Sequence, residues 1–371
     1  MSLATVRYPF WDPQVGPVER NLVQAVLDSH QLDEGRFTAE FEGKIAELLG
    51  CRHAVAVTSG TAALFMALVA LDVGPGDEVI VPDVACAATA NAVTMTGATP
   101  VLVDVDPATV TLCPRAAAGA INSQTRAIVP VHVSGRAAAM DALGEIATAH
   151  GLHVVEDAAE GILSRDRGRP LGTIGRVGIF SLAAGNTLNT GQGGLLVTND
   201  DELHQRLREL KDQGRPHRGS DEHVAVGFNF KFTDLQAAVG LGQLGQLGLR
   251  CRRLLNNYER YAQNLRHLPA LALYGFGNGQ VPQWIDVCAD DRDALEDHLR
   301  RHGAQCRRLW RPLHTLEPYR QPDDAFPIAS QLAERSMWLP SAFTLSTNDI
   351  DEVCGIVRSF YEAEQRVAMA A

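Results

Sequence analysis

An apolar run at residues 152–155 ends abruptly in Glu156-Asp157-Ala158-Ala159-Glu160. If the run is a strand of a parallel sheet, it delivers carboxylates to the edge where such sheets bind ligands. A carboxylate is rarely buried without a partner, and a protonated ring nitrogen is one partner that an ionised Asp157 keeps charged. In isolation, Asp157 serves equally well as a cap for a following helix. Earlier in the chain, Thr58-Ser59-Gly60-Thr61-Ala62-Ala63-Leu64 joins another apolar run to a helical stretch. The backbone N–H groups of Gly60, Thr61 and Ala62 then lie at a helix N-terminus, where the macrodipole favours a phosphate and glycine lets the anion come close. The same Ser-Gly-Thr is also an ordinary helix N-cap. A third stretch runs from Phe180-Ser181 through Asn186 to Gly191-Gln192-Gly193-Gly194, after a further apolar run.

These residues need a scaffold, and the pattern of apolar runs predicts one. Runs at 53–57, 78–81, 100–103, 127–131, 152–155, 177–180 and 194–197 read as seven strands, with helices at 61–71, 140–150 and 201–213 between them. Such alternation implies an α/β fold, a mostly parallel seven-stranded sheet covered by helices on both faces. Two helices, at 17–27 and 37–49, precede it. From 233 to about 267 the pattern is helical, including the Gln/Gly/Leu run at 241–249, and helices at 292–302 and 347–364 belong to a smaller α+β domain. The expected division is 1–248, a large domain with its N-terminal segment, and 249–371, the small one.

The net charge of -11 argues against nucleic acid or an anionic membrane surface as partner, since both need clustered positive charge. No apolar run reaches the 18 or so residues of a bilayer span and no signal core opens the chain, so a cytoplasmic location is expected. Seven scattered cysteines form no Cys-x-x-Cys pair, and neither a disulfide framework nor a metal site is expected. Lysine occurs only at Lys44, Lys211 and Lys231.

Taken in order, Gly35-Arg36-Phe37, Ser59-Gly60-Thr61, Gly74-Pro75-Gly76-Asp77-Glu78-Val79-Ile80-Val81-Pro82, Gly97-Ala98-Thr99-Pro100-Val101, Pro130-Val131-His132, Glu156-Asp157-Ala158-Ala159, Gly191-Gln192-Gly193-Gly194, Gly227-Phe228-Asn229 and Leu339-Pro340-Ser341 resemble the DegT/DnrJ/EryC1/StrS family of fold type I aminotransferases, in its perosamine-synthase flavour. The resemblance implies pyridoxal 5'-phosphate or pyridoxamine 5'-phosphate as cofactor and a keto sugar carried by a nucleotide, or a cyclitol, as substrate. It further implies an amino donor such as glutamate. In the family, residues matching Gly60, Thr61 and Ser181 hold the phosphate, that matching Asp157 pairs with the ring nitrogen, and that matching Glu160 lies near the ring hydroxyl. The residue matching Asn229 reaches the phosphate of the neighbouring subunit, so a homodimer is implied.

Two departures qualify the chemistry. With the frame set by Gly191–Gly194, the resemblance places Asn186 where the family carries the lysine that tethers the cofactor and moves its proton. An amide can do neither, so non-covalent cofactor binding with altered or weak chemistry is expected. Cys86 stands where an aromatic side chain stacks on the ring. His132 and Cys86 are candidate proton carriers, and Lys231 is a candidate for substrate or anion binding, with a structural role or a displaced Schiff-base lysine as the alternatives. Arg307 and His314, in a segment with Trp310 and Arg311 that matches the rim of the family's site, are candidates for substrate binding; Trp284 belongs with them. Asp33 and Glu34 read as solvated surface. Two further readings stay open: a catalytically inactive subunit that partners an active paralogue, and an ordinary enzyme carrying a Lys→Asn change that traps substrate.

Overall fold

A computed structural model of the chain describes residues 6–370. Helices α1 (Pro17–Ser29) and α2 (Arg36–Leu49) lead into strand β1 (His53–Val57) and helix α3 (Gly60–Ala70). Then follow β2 (Glu78–Pro82), α4 (Ala87–Met95), β3 (Thr99–Val103), α5 (Pro114–Gly119), β4 (Thr125–Ile128), α6 (Met140–His150) and β5 (His153–Asp157). A short hairpin, β6 (Arg165–Asp166) and β7 (Arg169–Pro170), precedes β8 (Val177–Ser181), β9 (Gly194–Thr198) and α7 (Asp201–Lys211).

The main sheet has the order β1-β9-β8-β5-β4-β2-β3. All its pairings are parallel except those of β9, which runs antiparallel to both β1 and β8. Alternate residues supply opposite faces, as a period of two requires. Val55, Val57, Val177, Ile179 and Leu196 pack under α3 and α7, whereas Ala54, Ala56, Phe180, Leu195 and Val197 pack against α2. Burial on both faces explains why the strands read as continuous apolar runs rather than alternating ones.

The expected strand at 127–131 begins and ends earlier, at Thr125–Ile128. Pro130 lacks an N–H for a ladder. Its carbonyl instead accepts Asp157 N at 2.9 Å, and Val131 pairs with Asp157 as an isolated bridge. The helical run expected across 241–249 is two helices, α8 (Asp234–Leu244) and α9 (Leu247–Leu265), broken at Gly245-Gln246. Buried Gln243, just before the break, donates to Glu19 and to the carbonyl of Gln14, which docks α8 onto α1.

Helix α9 is continuous through residue 248. Its Leu247 packs with the main sheet, while Tyr261 and Leu265 join the core of a second, antiparallel sheet. That sheet has the order β10-β11-β13-β12, built from β10 (Leu271–Leu273), β11 (Ile285–Ala289), β12 (Arg307–Arg308) and β13 (Ser336–Leu339). Helices α10 (Arg292–Arg301), α11 (Pro327–Arg335) and α12 (Thr347–Ala370) accompany it. Tyr8, from the N-terminal segment, is buried in this second core and bridges Ala304. Among the described residues, no helix is long and apolar enough to cross a membrane.

Candidate active site at the ends of strands β1, β5 and β8

Asp157 ends β5, and Glu156 precedes it on the opposite face. Glu156 is fully served: Oε1 accepts Ile174 N at 2.6 Å and Gly175 N at 2.5 Å, and Oε2 accepts Gly172 N at 2.8 Å and pairs with His132 Nε2 at 3.0 Å. Asp157 is not. Its Oδ2 accepts the Thr89 hydroxyl at 2.9 Å and its Oδ1 the N–H of Ala159 at 3.2 Å, and it has no cationic partner among the described residues. It is only 4% exposed, and desolvation raises its pKa above the ordinary carboxylate value. A cation placed against Asp157 relieves that cost.

The turn from β1 to α3 meets the end of β8. Ser59 caps α3, its hydroxyl accepting Ala62 N at 3.1 Å. A Cβ on Gly60 would lie 3.0 Å from Ser181 Cβ, so the two residues sit almost in contact. The N–H groups of Gly60 and Thr61 at this helix start have no partner among the described residues and remain for an anion, together with the O–H of Ser181, whose oxygen accepts Ala183 N at 3.3 Å. Ala62 differs from expectation: its N–H is taken by the Ser59 cap.

Asp157 pairs in register with Ile179, two residues short of Ser181. At roughly 3.3 Å per residue, Ser181 lies about 7 Å farther along the sheet than Asp157. A substituted pyridine with a phosphate at one end and a protonated nitrogen at the other fits between them.

The loop after β8 carries Asn186. Its Nδ2 donates to the carbonyl of Ser181 at 2.8 Å, which folds the amide back on the strand end. The loop is gripped by Gln283, just before β11, and by Arg250 of α9: Gln283 Nε2 donates to Gly185 O at 3.1 Å, Gln283 Oε1 accepts Thr187 N at 3.2 Å and also the Thr187 hydroxyl, and Arg250 donates to Thr187 O at 2.5 Å. Trp11 Nε1 reaches Ala184 O at 3.0 Å.

Glu160 faces the same space. Its Oε2 accepts Ser134 N at 2.7 Å and its Oε1 the indole N–H of Trp284 at 2.7 Å. Ser134 achieves this in the left-handed region, φ 56°, and its hydroxyl donates to Asp286 at 2.7 Å. Gly135 follows with φ 90°, and a Cβ there would strike Val281 O at 2.2 Å, so only glycine passes. Desolvation pushes the Glu160 pKa up to about 7, against the two hydrogen bonds. Cys86, at the start of α4, presents an exposed thiol whose pKa is raised by desolvation and by the nearby charges of Asp157 and Glu160, with Arg307 opposing.

Other candidates are placed elsewhere. Buried His132 accepts Ala138 N on Nδ1 at 3.1 Å and meets Glu156 through Nε2, leaving no ring nitrogen free to carry a proton. His314 is fully buried; its Nδ1 lies 2.5 Å from Asp83 and its Nε2 3.2 Å from Asp323, so it locks Asp83, just after β2, to the second lobe. Lys231 is ion-paired with Asp212 at 2.8 Å. Lys211 is buried against Glu34 at 2.9 Å and Glu42 at 3.1 Å, and Lys44 lies 3.8 Å from Glu40. Glu34 is therefore buried rather than solvated, because Lys211 and Arg208 neutralise it; Asp33 is exposed. Glu34, Glu42, Arg208, Lys211, Asp212 and Lys231 line a cavity of about 480 Å³ with Arg215 and Arg218, apart from Asp157. Asn229 is exposed.

Thr89, Ser134 and Gln283 were not singled out by sequence. Nothing local marks them, since each meets its partner from 68, 26 or 96 residues away.

The sequence profile of the DegT/DnrJ/EryC1/StrS aminotransferase family matches residues 13–358. The chain is 37% identical over 355 residues to a GDP-perosamine synthase of Caulobacter vibrioides, covering 92% of this chain and 95% of that protein. Among solved structures it is similar to DesV of S. venezuelae in complex with a ketimine intermediate (36% identity, TM-score 0.89, covering 92% and 94% of the two chains). It is also similar to the aminotransferase TlmJ of Streptoalloteichus hindustanus (33% identity, TM-score 0.92, 96% and 100%). The architecture is that of a fold type I aminotransferase, with a mixed, mostly parallel seven-stranded sheet and a small antiparallel C-terminal one.

Proposed function

The chain belongs to the DegT/DnrJ/EryC1/StrS aminotransferase family, a family of pyridoxal-phosphate-dependent sugar aminotransferases, and from that premise we propose that it holds pyridoxal or pyridoxamine 5'-phosphate without a covalent bond and acts weakly, or by altered chemistry, on a nucleotide-linked keto sugar. The observation that carries this reading is the uncompensated Asp157 carboxylate on β5, whose register partner Ile179 lies two residues before Ser181 of the Gly60–Thr61–Ser181 cradle. Asn186 stands at the position of the tethering lysine. All three lysines of the chain are paired with acids outside the cradle.

When bound, the cofactor supplies an electron sink for a carbanion next to nitrogen. The chain's own residues do the rest. Gly60, Thr61 and Ser181 fix the phosphate; Asp157 holds a proton on the ring nitrogen by its charge; Thr89 orients Asp157. Glu160, with a pKa of about 7, is the carboxyl beside the site that can hold or release a proton near neutrality. Cys86 gives no stacking surface, so the ring binds less tightly than against an aromatic side chain.

By family resemblance the proposal includes a homodimer in which exposed Asn229 of each copy completes the other's phosphate site, glutamate as amino donor, and a cytoplasmic location. The division into lobes falls near residue 248, within α9. An inactive partner subunit is the second reading, favoured by the Asn186 amide being tied to Ser181 O.

Titration with pyridoxamine 5'-phosphate, followed by tryptophan fluorescence, tests the proposal. Saturable binding that dialysis reverses is expected; no binding at millimolar cofactor overturns it. Replacing Asn186→Lys and assaying amino transfer from glutamate to a nucleotide-linked keto sugar separates the two readings. A gain of a hundredfold or more, the range of general acid/base catalysis, marks an otherwise intact site, whereas no gain favours the inactive subunit.

A further inference from the structure

Arg250, in the first turns of α9, is 1% exposed and is ion-paired with no acid among the described residues. Its guanidinium donates to Thr187 O at 2.5 Å and to Gln246 Oε1 at 3.3 Å, and its carbon lies 4.6 Å from the centroid of the Phe343 ring. Its Nε–H has no partner among the described residues. The acid whose charge reaches it, Glu19, is already filled by Gly16 N and by the amides of Gln243 and Gln246. Burying a cation without a counter-charge is costly, and desolvation pulls the Arg250 pKa down to about 10.

Arg250 forms one wall of a cavity of about 340 Å³ with Val15, Leu249, Arg253 and Phe343, and no acid lines it. Asp12, behind the rim, is taken by Gln14 and by the Thr344 hydroxyl. Arg253 is exposed and has neither an ion pair nor a hydrogen bond among the described residues. Two guanidiniums on a wall without acids call for a dianion: a single carboxylate leaves one of them unmatched, whereas a phosphate monoester serves both. Val15, Leu249 and the Phe343 ring give the ester's substituent an apolar surface.

The back of this cavity is the loop that carries Asn186. Arg250 holds Thr187 O on one side of Asn186. On the other side, Phe343 meets the edge of Trp11 at 5.3 Å, and Trp11 Nε1 holds Ala184 O at 3.0 Å. We propose that this cavity is a second anion site, outside the Asp157 cleft, that takes a phosphate monoester with an apolar substituent and, through Arg250 and Phe343, steadies the Asn186 loop. The site does not depend on the cofactor reading above, and its test keeps the two apart.

The probe is phenyl phosphate, titrated calorimetrically into the full chain saturated with pyridoxamine 5'-phosphate so that the Gly60 cradle is taken; benzoate is the carboxylate arm. The expected Kd for phenyl phosphate is weaker by about tenfold or more in Arg250→Met and by about threefold or more in Arg253→Ala, with benzoate the weaker ligand of the parent. Amide exchange across residues 183–190 should slow when phenyl phosphate binds. Exposed Arg253 keeps the test readable should Arg250→Met fail to fold. Unchanged Kd values in the variants overturn the inference, as do absence of binding to the parent, benzoate binding as tightly, or loop exchange that phenyl phosphate leaves unaltered. A loss in Arg307→Ala with none in Arg250→Met also overturns it, since exposed Arg307 lies over Trp338 of the small sheet, 5.7 Å from the ring centroid. Failure of the parent to bind pyridoxamine 5'-phosphate is read first and sinks the cofactor reading alone; the parent and Arg250→Met are then compared without cofactor.

Discussion

Glu156 and Asp157 are adjacent on one strand, yet the two sides of the sheet treat their carboxylates in opposite ways. Behind the sheet, Glu156 collects three backbone N–H groups from the turn at 172–175 and the His132 imidazole. In front, Asp157 receives one hydroxyl and one N–H, and burial holds its pKa up. A carboxylate whose acceptors are all used stabilises the fold and has nothing left for a ligand. One that is buried and half-served costs stability until a cation arrives. Chemistry is read from the deficit.

The largest effect is expected behind the sheet. Glu156→Ala strands three backbone donors and one imidazole, and should cost about 4 kcal/mol of unfolding free energy, measured by urea denaturation. A loss below about 1 kcal/mol would dissolve the contrast. In front of the sheet the prediction inverts: Asp157→Asn should leave stability within about 1 kcal/mol while weakening cofactor binding a hundredfold or more, about 3 kcal/mol. Equal damage to folding and binding would mean that Asp157, too, is structural.

Glu160 sharpens the comparison through pH. Its carboxyl titrates near 7 in the fold against an ordinary 4.5, so between those values the folded chain keeps a proton that the unfolded chain has lost. Stability contributed by the protonated form is thus present at low pH and declines as pH rises through 4.5 to 7. The shift corresponds to roughly 3 kcal/mol at most, and residual solvent contact reduces it to about 2 kcal/mol. Unfolding measured at pH 4.5 and 7.5 should show that decline in the parent and a flatter profile in Glu160→Gln; identical slopes would count against a titrating Glu160.

The smallest effect concerns the cradle. In Gly60→Ala the new methyl lies 3.0 Å from Ser181 Cβ. Crowding there should weaken cofactor binding about tenfold, near 1.4 kcal/mol, with little change in melting temperature.

Much of the scaffold was legible before any coordinates, because strands buried on both faces leave continuous apolar runs and Ser59 and Thr233 mark helix starts with caps. Gly60 and Asp157 were readable as candidates from their places at strand ends, and Ser181 through the family resemblance. What could not be read is the company they keep. Neighbouring residues do not announce that Thr89 supports Asp157, that Ser134 adopts φ 56° to meet Glu160, or that Gln283 grips the Asn186 loop. The same gap explains the misplaced residues. His314 is a candidate through the resemblance of its segment to the rim of the family's site, and that resemblance does not tell that Asp83 and Asp323 take both its nitrogens. Glu34 looked solvated because Lys211, 177 positions away in sequence, was not seen to neutralise it.

Whether the cofactor is held without a tether is decided by chemical trapping. The chain is mixed with one equivalent of pyridoxal 5'-phosphate, reduced with borohydride, and its intact mass compared with that of Asp157→Asn treated alike. The account predicts unmodified mass for both chains, despite reversible, Asp157-dependent binding before reduction. A stoichiometric adduct on Lys44, Lys211 or Lys231 that disappears in Asp157→Asn would contradict it.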